Sequence, residues 1–427
     1  MKTLRMGDIG PQVQLLQLAL KREGSFGGPT SGVFGEQTQR ALIAFQRKSG
    51  LEADGIAGAR SHRALEPYYT GYVRHTVRRG DTLYRISVSL GSTLRAIMTA
   101  NPGLDPLNLK IGTGITVPLG FSVVPTGIDY CSELIDFVCR GLAARYPFIS
   151  RGEIGRSVMG KALWSMTLGS GSTKVLYNAA HHANEWITVP VLLHFCEELA
   201  AAYARDGEIY GESARSLLGK CTLCIVPAVD PDAIDLVTGD LTEGPYYERA
   251  ADIAGNYPDI AFPSGWKANI EGTDLNLQYP AGWERAREIK FAQGFGSPAP
   301  RDYVGTSALS APESRAMYDF TMDFNPALTL SYHTQGETIF WKYLDYEPAG
   351  SREIAEAMGE ASGYFVEETP YASGFAGYKD WFIQNYNKPG YTIEAGRGTN
   401  PLPISDFNGI YRDNVGILVL GMLLAGE

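Results

Sequence analysis

The sequence has little that would hold a small secreted domain together. It contains five cysteines in 427 residues, an odd number scattered between positions 131 and 224. Disulfide-stapled secreted domains instead carry even numbers of cysteines at close spacings, so we expect reduced thiols. Cys221 and Cys224 have the spacing of half a zinc knuckle, but no second pair accompanies them. Leu223, Ile225 and Val226 indicate a buried strand in that segment.

Long apolar segments are also lacking. The longest apolar stretch, residues 415–426, is shorter than the roughly 20 residues that a transmembrane helix needs, and we expect it to form a buried final helix. No apolar run follows the basic residues near Met1. We therefore expect no membrane span and no secretory signal peptide in the chain as given, and the sequence does not indicate an export route.

Charge is distributed unevenly along the chain. The formal net charge is −10, but residues 1–120 hold 15 Lys and Arg against 8 Asp and Glu, which gives +7 there and −17 for residues 121–427. The basic front part suits a polyanion, either nucleic acid or a cell-wall polymer, although an ordinary solvated surface explains it equally well.

Residues 1–67 are predicted to form a small all-α bundle. Apolar residues at helical spacing indicate two helices that end at Gly24 and Gly50, with inward faces formed by Val13, Leu16, Leu20, Leu42 and Phe45. The segments at residues 7–17, 32–38 and 44–46 read GDIGPQVQLLQ, GVFGEQT and AFQ. Together they resemble the peptidoglycan-binding helical domain across its full length.

Residues 72–119 are predicted to form a small βααβ module. A strand around His75 is followed by a helix that Thr82 caps, a second helix near Leu94 to Met98, and a closing strand near Ile115. The segments GDTL at 80–83, NP at 101–102 and ITVP at 115–118 resemble a LysM module. Members of that family bind glycans that contain N-acetylglucosamine.

From residue 125 to residue 427 the pattern predicts an α/β domain, with one mixed sheet covered by helices on both faces. Short apolar runs predict strands at 175–178, 223–227, 328–332 and 391–393. Longer amphipathic stretches predict helices at 188–203, 312–324 and 352–359.

The candidate catalytic residues of this domain follow directly on predicted strands. His182 and Glu185 follow the first strand, His333 follows the third, and Glu394 lies at the end of the fourth. Open α/β sheets bind ligands at the carboxyl ends of their strands. Two imidazoles and one carboxylate leave zinc an open fourth position, as in catalytic zinc sites. A lone His-x-x-Glu also arises by chance as surface charge.

The large domain resembles the zinc carboxypeptidase family over residues 125–427. The segments AHHANEW at 180–186, SYHTQ at 331–335 and YTIE at 391–394 are similar to the family's zinc and base motifs, and further signatures fit at 227–232, 274–276 and 311–313. The resemblance implies one Zn²⁺ per chain, held by His182, Glu185 and His333. It also implies Glu394 as the general base and Asp274 as the carboxylate that orients His182.

Some positions depart from the family pattern. Exopeptidases of the family have Asn-Arg where this chain has Asn276-Leu277, so the arginine that binds a C-terminal carboxylate is absent, and Asn276 remains as a substrate-binding candidate. Lys267 stands where the family has the arginine that polarises the scissile carbonyl, and lysine supplies charge without a bidentate fork. Tyr371 matches the family's mobile substrate tyrosine, with Tyr378 as a rival.

Within the family, the chain most resembles the γ-D-glutamyl-L-diamino acid endopeptidases. The resemblance implies cleavage between D-glutamate and diaminopimelate or lysine in peptidoglycan stem peptides. Arg301 and Arg397 are candidate partners for the diamino acid's carboxylate, because arginine pairs bidentately with carboxylates. The expected partner is peptidoglycan, with glycan strands bound by the N-terminal modules and stem peptides in the active site, and not nucleic acid. The expected location is bacterial: the cell wall, the spore or the cytoplasm of a sporulating cell.

Two alternatives remain open. A metallocarboxypeptidase acting on polypeptide C-termini would need a basic group supplied near Leu277 from elsewhere in the chain. A catalytically dead wall-anchoring protein would lack at least one of the zinc ligands or the base. None of His182, Glu185, His333 and Glu394 is missing.

Overall fold

In the computed structural model, which describes residues 1–426, the chain divides into two compact units, residues 1–150 and residues 151–427. The predicted start of the large domain, at residue 125, precedes a helix that belongs to the first unit. This helix, Ser132–Arg145, packs on the helix Ala59–Thr70, where the rings of Phe137 and Tyr69 stack with centroids 4.9 Å apart.

The first unit begins with three helices, α1 (Pro11–Glu23), α2 (Glu36–Lys48) and α3 (Ala59–Thr70). Gln17 joins the first two: its side-chain amide nitrogen donates to the hydroxyl of Thr38 at 3.0 Å, and its oxygen accepts from the backbone N–H of Gly32 at 3.0 Å. Since Gln17 is buried, these bonds satisfy its amide inside the bundle.

The βααβ module follows, with β1 (Tyr72–Thr76), α4 (Leu83–Ser89), α5 (Leu94–Ala100) and β2 (Gly114–Pro118). The two strands pair antiparallel, and the hydroxyls of Thr82 and Thr93 accept the capping hydrogen bonds of the two helices. Helix α6 (Ser132–Arg145) completes the unit. The predicted small all-α and βααβ modules are confirmed.

The second unit is built on a mixed sheet of eight strands. In spatial order they are β11 (Phe365–Glu367), β10 (Thr338–Phe340), β12 (Gly390–Glu394), β9 (Leu328–His333), β5 (Thr173–Ala179), β8 (Cys221–Val226), β4 (Ala162–Leu168) and β3 (Ser150–Arg156). Strands β12, β9, β5 and β8 run parallel to one another, whereas β10 and β4 run antiparallel to their central neighbours. A two-stranded ribbon, β6 (Glu208–Ile209) and β7 (Glu212–Ser213), lies apart.

Helices cover both faces of this sheet. They are α7 (Thr188–Ala204), α8 (Ala214–Lys220), α9 (Pro231–Val237), α10 (Pro245–Gly255), α11 (Trp283–Ala292), α12 (Pro312–Phe324), α13 (Ser351–Ser362), α14 (Tyr378–Tyr386) and α15 (Phe407–Leu423). Neighbouring strand residues point to opposite faces. Leu176 packs in a core with Met317 of α12 and Phe382 of α14, while Tyr177 donates its hydroxyl hydrogen to the Leu418 carbonyl of α15. The predicted α/β fold is confirmed.

The structure also bears on the predictions for the cysteine pair at 221 and 224 and for membrane-spanning helices. The segment with Cys221 and Cys224 is the buried strand β8, and burial raises the pKa of the Cys224 thiol to about 12. Within residues 1–426 no helix is long and apolar enough to cross a membrane.

Candidate functional site

The candidate site lies at the carboxyl ends of three adjacent strands, β5, β9 and β12. In the register of the sheet Glu394 lies opposite His333, and Tyr332 lies opposite Ala179. Beyond β5 the backbone turns through Ala180, at a left-handed φ of 54°, into a short 3₁₀ turn over Ala183–Glu185. The strand ends and this turn bring residues that are distant in sequence to one edge of the sheet.

Three of the side chains form a compact nitrogen and oxygen cluster. The Nδ1 atoms of His182 and His333 are 3.2 Å apart. The Glu185 carboxylate reaches both rings, with Oε1 3.1 Å from Nδ1 of His182 and Oε2 2.9 Å from Nδ1 of His333. Glu185 and His333 are buried, and His182 is nearly so.

This cluster fits a zinc ion. Two nitrogens that each lie about 2.1 Å from a tetrahedral zinc ion are about 3.4 Å apart, close to the separation seen here. Two imidazoles and one carboxylate are also the donor set of zinc sites that keep a position open. His182, Glu185 and His333 could therefore hold Zn²⁺ with little rearrangement.

Asp274 lies behind His182 and contacts its other ring nitrogen. The Oδ1 atom of Asp274 is 3.1 Å from Nε2 of His182 and accepts the backbone N–H of Asn276 at 3.1 Å. The Oδ2 atom accepts the backbone N–H of Asp302, also at 3.1 Å. This arrangement fixes the His182 ring so that Nδ1 faces the cluster.

The charges around the cluster keep Glu185 ionised and make His182 basic. Burial lowers the pKa of His182, but the carboxylates of Glu185 and Asp274 outweigh burial and raise it to about 9. Burial would raise the pKa of Glu185, but Lys267 and His182 hold it well below its usual range. The ammonium of Lys267 lies 2.8 Å from Oε1 of Glu185. A metal ion that binds here would therefore displace the proton of His182 and pair with the ionised carboxylate of Glu185.

Glu394 lies beside the cluster, because it is paired with His333 in the register of the sheet. Next to it, the backbone N–H of Ala395 donates to the carbonyl of His333. Burial raises the pKa of its carboxyl, and repulsion from Glu185 adds to this, while His333 and Lys267 oppose it. A carboxylate with a raised pKa is better suited to take up and return a proton near neutral pH.

Two cavities meet at this site. The larger, about 650 Å³, includes Asn184, Asp259, Gln335 and Asn400 in its lining. The smaller, about 270 Å³, includes Leu277 and the cluster residues His182 and His333. Both are bordered by Lys267, Arg301, Phe340 and Glu394. Two of the candidate ligands, His182 and His333, thus line the smaller cavity next to the residues that both cavities share.

The other predicted substrate residues occupy different surroundings. Asn276 lines the smaller cavity, with its Nδ2 3.5 Å from Nε2 of His333. Tyr371 is 60% exposed and its hydroxyl accepts from Arg285, whereas Tyr378 is buried with its hydroxyl 3.0 Å from that of Thr321. Tyr371 therefore lies at the surface, whereas Tyr378 belongs to the core.

The two predicted arginines differ in position. Arg301 borders both cavities, and its Nε lies 2.6 Å from Oδ2 of Asp302. Arg397 forms an exposed ion pair with Glu337 and lines neither of these cavities.

Several charged residues of the smaller cavity were not predicted. Lys290 lies 2.5 Å from Oδ1 of Asp302, so Asp302 holds two cations, Lys290 and Arg301. Lys379 and Asp380 form a buried ion pair at the start of α14. One signal for Lys379 was available in the sequence, because a lysine in the first turn of a helix opposes the helix dipole.

Family comparisons agree with this geometry. A family model described as zinc carboxypeptidase matches residues 135–415. Models described as a putative peptidoglycan binding domain and a LysM domain match residues 9–65 and 75–118.

Individual relatives point the same way. Gamma-D-glutamyl-L-diamino acid endopeptidase 1 of Lysinibacillus sphaericus is 41% identical over 299 residues, which cover 69% of this chain and 72% of the relative. Carboxypeptidase B of Bos taurus is 23% identical over 281 residues, 61% of each chain. The solved carboxypeptidase A of Helicoverpa armigera shares the fold, with a TM-score of 0.55 at 18% identity over 97% of this chain and 96% of that one. The chain belongs to the zinc carboxypeptidase family and carries peptidoglycan-binding and LysM domains ahead of its peptidase domain.

Proposed function

We propose that the chain is a wall hydrolase that cuts the bond between γ-D-glutamate and the diamino acid of peptidoglycan stem peptides. The observation that carries the proposal is that His182 and His333 line the smaller of two cavities, and that both cavities are bordered by Lys267 and Glu394. Two adjoining cavities give room for γ-D-glutamate on one side of the scissile bond and for the diamino acid on the other. The name of the Lysinibacillus relative supports the same substrate class.

The smaller cavity is assigned to the leaving side of the substrate, because it contains Leu277, the position where exopeptidases of the family carry their carboxylate-binding arginine. Arg301 and Lys290 share the single carboxylate of Asp302, which leaves an excess positive charge there. Arg301 is thus the proposed partner for the carboxylate of the diamino acid next to the scissile bond.

A carboxypeptidase acting on ordinary polypeptides could use the same excess charge for a terminal carboxylate. The smaller cavity, however, also contains the charged side chains of Lys379 and Asp380. An apolar C-terminal side chain would leave this buried pair without polar contacts from the substrate. The lining therefore favours a polar, charged residue on the leaving side.

For the chemical step, zinc held by His182, Glu185 and His333 would polarise the scissile carbonyl and lower the pKa of a water molecule. Glu394 is the proposed base: it takes the proton from the attacking water and returns it to the leaving amine. Lys267, whose ammonium lies beside Glu185, is proposed to stabilise the negative charge that develops on the carbonyl oxygen.

The N-terminal modules are proposed to hold the enzyme on its insoluble substrate. Binding of the glycan by the first unit would raise the local concentration of stem peptides without any new contact in the active site. The formal charge of +7 over residues 1–120 would add a salt-sensitive attraction to the anionic wall. A bacterial cell wall or spore wall is the proposed site of action.

Defined peptides test the proposed bond. The zinc-loaded chain is incubated with L-Ala-γ-D-Glu-diaminopimelate and, separately, with a hippuryl-type L-peptide, and products are identified by mass spectrometry. We expect L-Ala-D-Glu and free diaminopimelate from the first peptide and little release from the second. Efficient trimming of the hippuryl peptide with the stem peptide intact would favour the carboxypeptidase alternative instead.

A further inference from the structure

A buried acid of the peptidase domain, Glu313, has no part in the proposed mechanism. It is fully buried in the first turn of α12 and lines neither cavity of the site. An exposed acid would suit the helix dipole equally well without the cost of burying a charge. The two oxygens of Glu313 instead bind outside the helix: Oε1 accepts the backbone N–H of Val158 at 2.9 Å, and Oε2 accepts from Nδ2 of Asn269 at 3.2 Å.

Asn269 holds together the loop formed by residues 266–274. Its side-chain oxygen accepts the backbone N–H groups of Glu271 and Thr273 at 3.1 and 3.0 Å, and its backbone N–H donates to the Thr273 carbonyl at 2.8 Å. Its backbone carbonyl accepts two further N–H groups of the same loop. Because Glu313 accepts from the side-chain nitrogen, every polar group of this buried residue has a partner.

The same loop carries two side chains of the candidate site. Lys267 precedes Asn269, and its ammonium contacts Glu185. Asp274 closes the loop on the other side of Asn269 and contacts His182. The shape of the loop therefore determines where both Lys267 and Asp274 meet the cluster.

We propose that Asn269, held by Glu313, is a positioning residue for the peptidase reaction. It fixes the loop so that Lys267 reaches the cluster and Asp274 orients His182. Loss of the bond to Glu313 would leave a buried NH₂ group without an acceptor, at a cost that favours turning the amide away from the loop. The inference rests on the proposed function for the role of Lys267, but not for zinc binding through Asp274.

A purely structural role for Asn269 makes a different prediction. Its replacement would then lower the free energy of unfolding and leave kcat and zinc affinity of the folded enzyme unchanged. A positioning role changes both quantities. Displacement of a catalytic group by about 1 Å can lower the rate by about 10²-fold. Loss of an outer partner of a zinc ligand weakens zinc binding by about 10- to 100-fold, and we expect the lower end because Asn269 acts through the loop.

The full zinc-loaded chain with Asn269→Leu tests the proposal on the peptide L-Ala-γ-D-Glu-diaminopimelate. We expect kcat to fall by about 10²-fold with little change in KM, because Lys267 is proposed to act on charge that develops during the reaction. Zinc affinity, measured by competition with a chelator, should fall about 10-fold. Asn269→Ser, whose hydroxyl can still accept one loop N–H, should show the same two losses at smaller size.

Asn414→Leu is the matched control for the loss of a buried amide. Asn414 belongs to α15, is fully buried, and donates to the hydroxyl of Tyr364 and the carbonyl of Ile410, both at 2.8 Å. This variant should lose stability but keep kcat and zinc affinity.

Two double variants test how Asn269 acts. Asn269→Asp combined with Glu313→Gln exchanges donor and acceptor across the bond, and the new amide oxygen can still accept the N–H of Val158. We expect kcat and zinc affinity within about fivefold of wild type, because the donor and the acceptor remain paired. In a Lys267→Met background, Asn269→Leu should cost little further kcat, because the side chain that it positions is already gone.

Wild-type kcat and zinc affinity in Asn269→Leu, or in Asn269→Ser if the leucine variant does not fold, would overturn the proposal. An exchange variant as impaired as the single variant would overturn the part of Glu313, and a full further loss of kcat in Lys267→Met would overturn the part of Lys267. If the wild type does not cut the γ-D-glutamyl bond, the proposed function fails, while the zinc measurements still decide whether Asn269 positions Asp274.

Discussion

Replacement of Asp274 by asparagine is the sharpest probe of how the candidate zinc site is held. The carboxylate of Asp274 has three partners at 3.1 Å: Nε2 of His182 and the backbone N–H groups of Asn276 and Asp302. Asparagine has one acceptor oxygen and one NH₂ group. Whichever way the side-chain amide of Asp274→Asn is oriented, its NH₂ group therefore faces at least one of the three partners that the Asp274 carboxylate now contacts.

The magnitude follows from what is lost. A buried N–H group left without an acceptor costs about 1–3 kcal/mol of unfolding free energy. His182 also loses a charged partner on its second nitrogen, and loss of such a partner weakens metal binding by about 10- to 100-fold. We expect both effects in Asp274→Asn, with the peptidase fold retained.

Zinc affinity is measured by competition with a chromophoric chelator, and stability by chemical denaturation of the metal-free protein. Asp230→Asn is the matched control. Asp230 is fully buried and caps α9 by accepting the N–H of Ala233, a task that asparagine performs equally well. Its zinc affinity should stay within about twofold of wild type, given the tenfold or larger loss expected when a partner of a ligand is removed. An equally small change in Asp274→Asn would refute the account of how His182 is oriented.

Three further predictions concern other residues. His333→Ala should lose zinc, measured by metal analysis of the purified protein, because an open three-ligand site has no spare donor; full zinc occupancy would remove His333 from the site. Glu394→Gln should keep zinc but lose about 10²- to 10⁴-fold in kcat, the usual contribution of a general base; activity near wild type would make Glu394 structural. Burial lowers the pKa of His62 in the folded protein. The unfolded first unit therefore binds more protons than the folded one, and its free energy of unfolding decreases as pH falls below about 6.5, the pKa of histidine in an unfolded chain. The melting temperature of fragment 1–150 should drop on acidification, and the drop should shrink in His62→Gln; an identical pH profile for the variant would contradict this.

The central strands and the candidate ligands were predictable because their signals are local. Apolar runs predicted β5, β8, β9 and β12 to within about two residues, since buried parallel strands are almost continuously apolar. The residues that directly follow such strands meet at one edge of the sheet, which explains why His182 and His333 could be placed together. Edge strands such as β3, SRGEIGR, carry no comparable signal and were missed.

The charged lining of the smaller cavity could not be predicted in the same way. Lys290 and Asp302 belong to different segments and meet only through the packing of the loop after α11. Likewise, the amphipathic pattern of α6 shows that it must pack on a core but not which partner it meets, and in the structure it packs on α3. Such long-range choices depend on tertiary packing rather than on local pattern.

The neighbouring histidine, His181, lies outside the cluster. It precedes His182 directly, but it is buried and its Nε2 lies 2.9 Å from the hydroxyl of Tyr279. Adjacent side chains in extended backbone point in opposite directions, so only one of the two rings can face the cluster. The structure places the ring of His182 in the cluster with Glu185.

The central claim is the bond that the enzyme cuts, and digestion of intact peptidoglycan tests it most directly. Purified diaminopimelate-type peptidoglycan is incubated with the zinc-loaded chain, with Glu394→Gln as the blank, and the released fragments are sequenced by mass spectrometry. The account predicts new N-terminal diaminopimelate residues and glycan-linked stems that end in L-Ala-D-Glu, both absent from the blank. Stems shortened only from their C-terminal ends, with every γ-D-glutamyl bond intact, would contradict it.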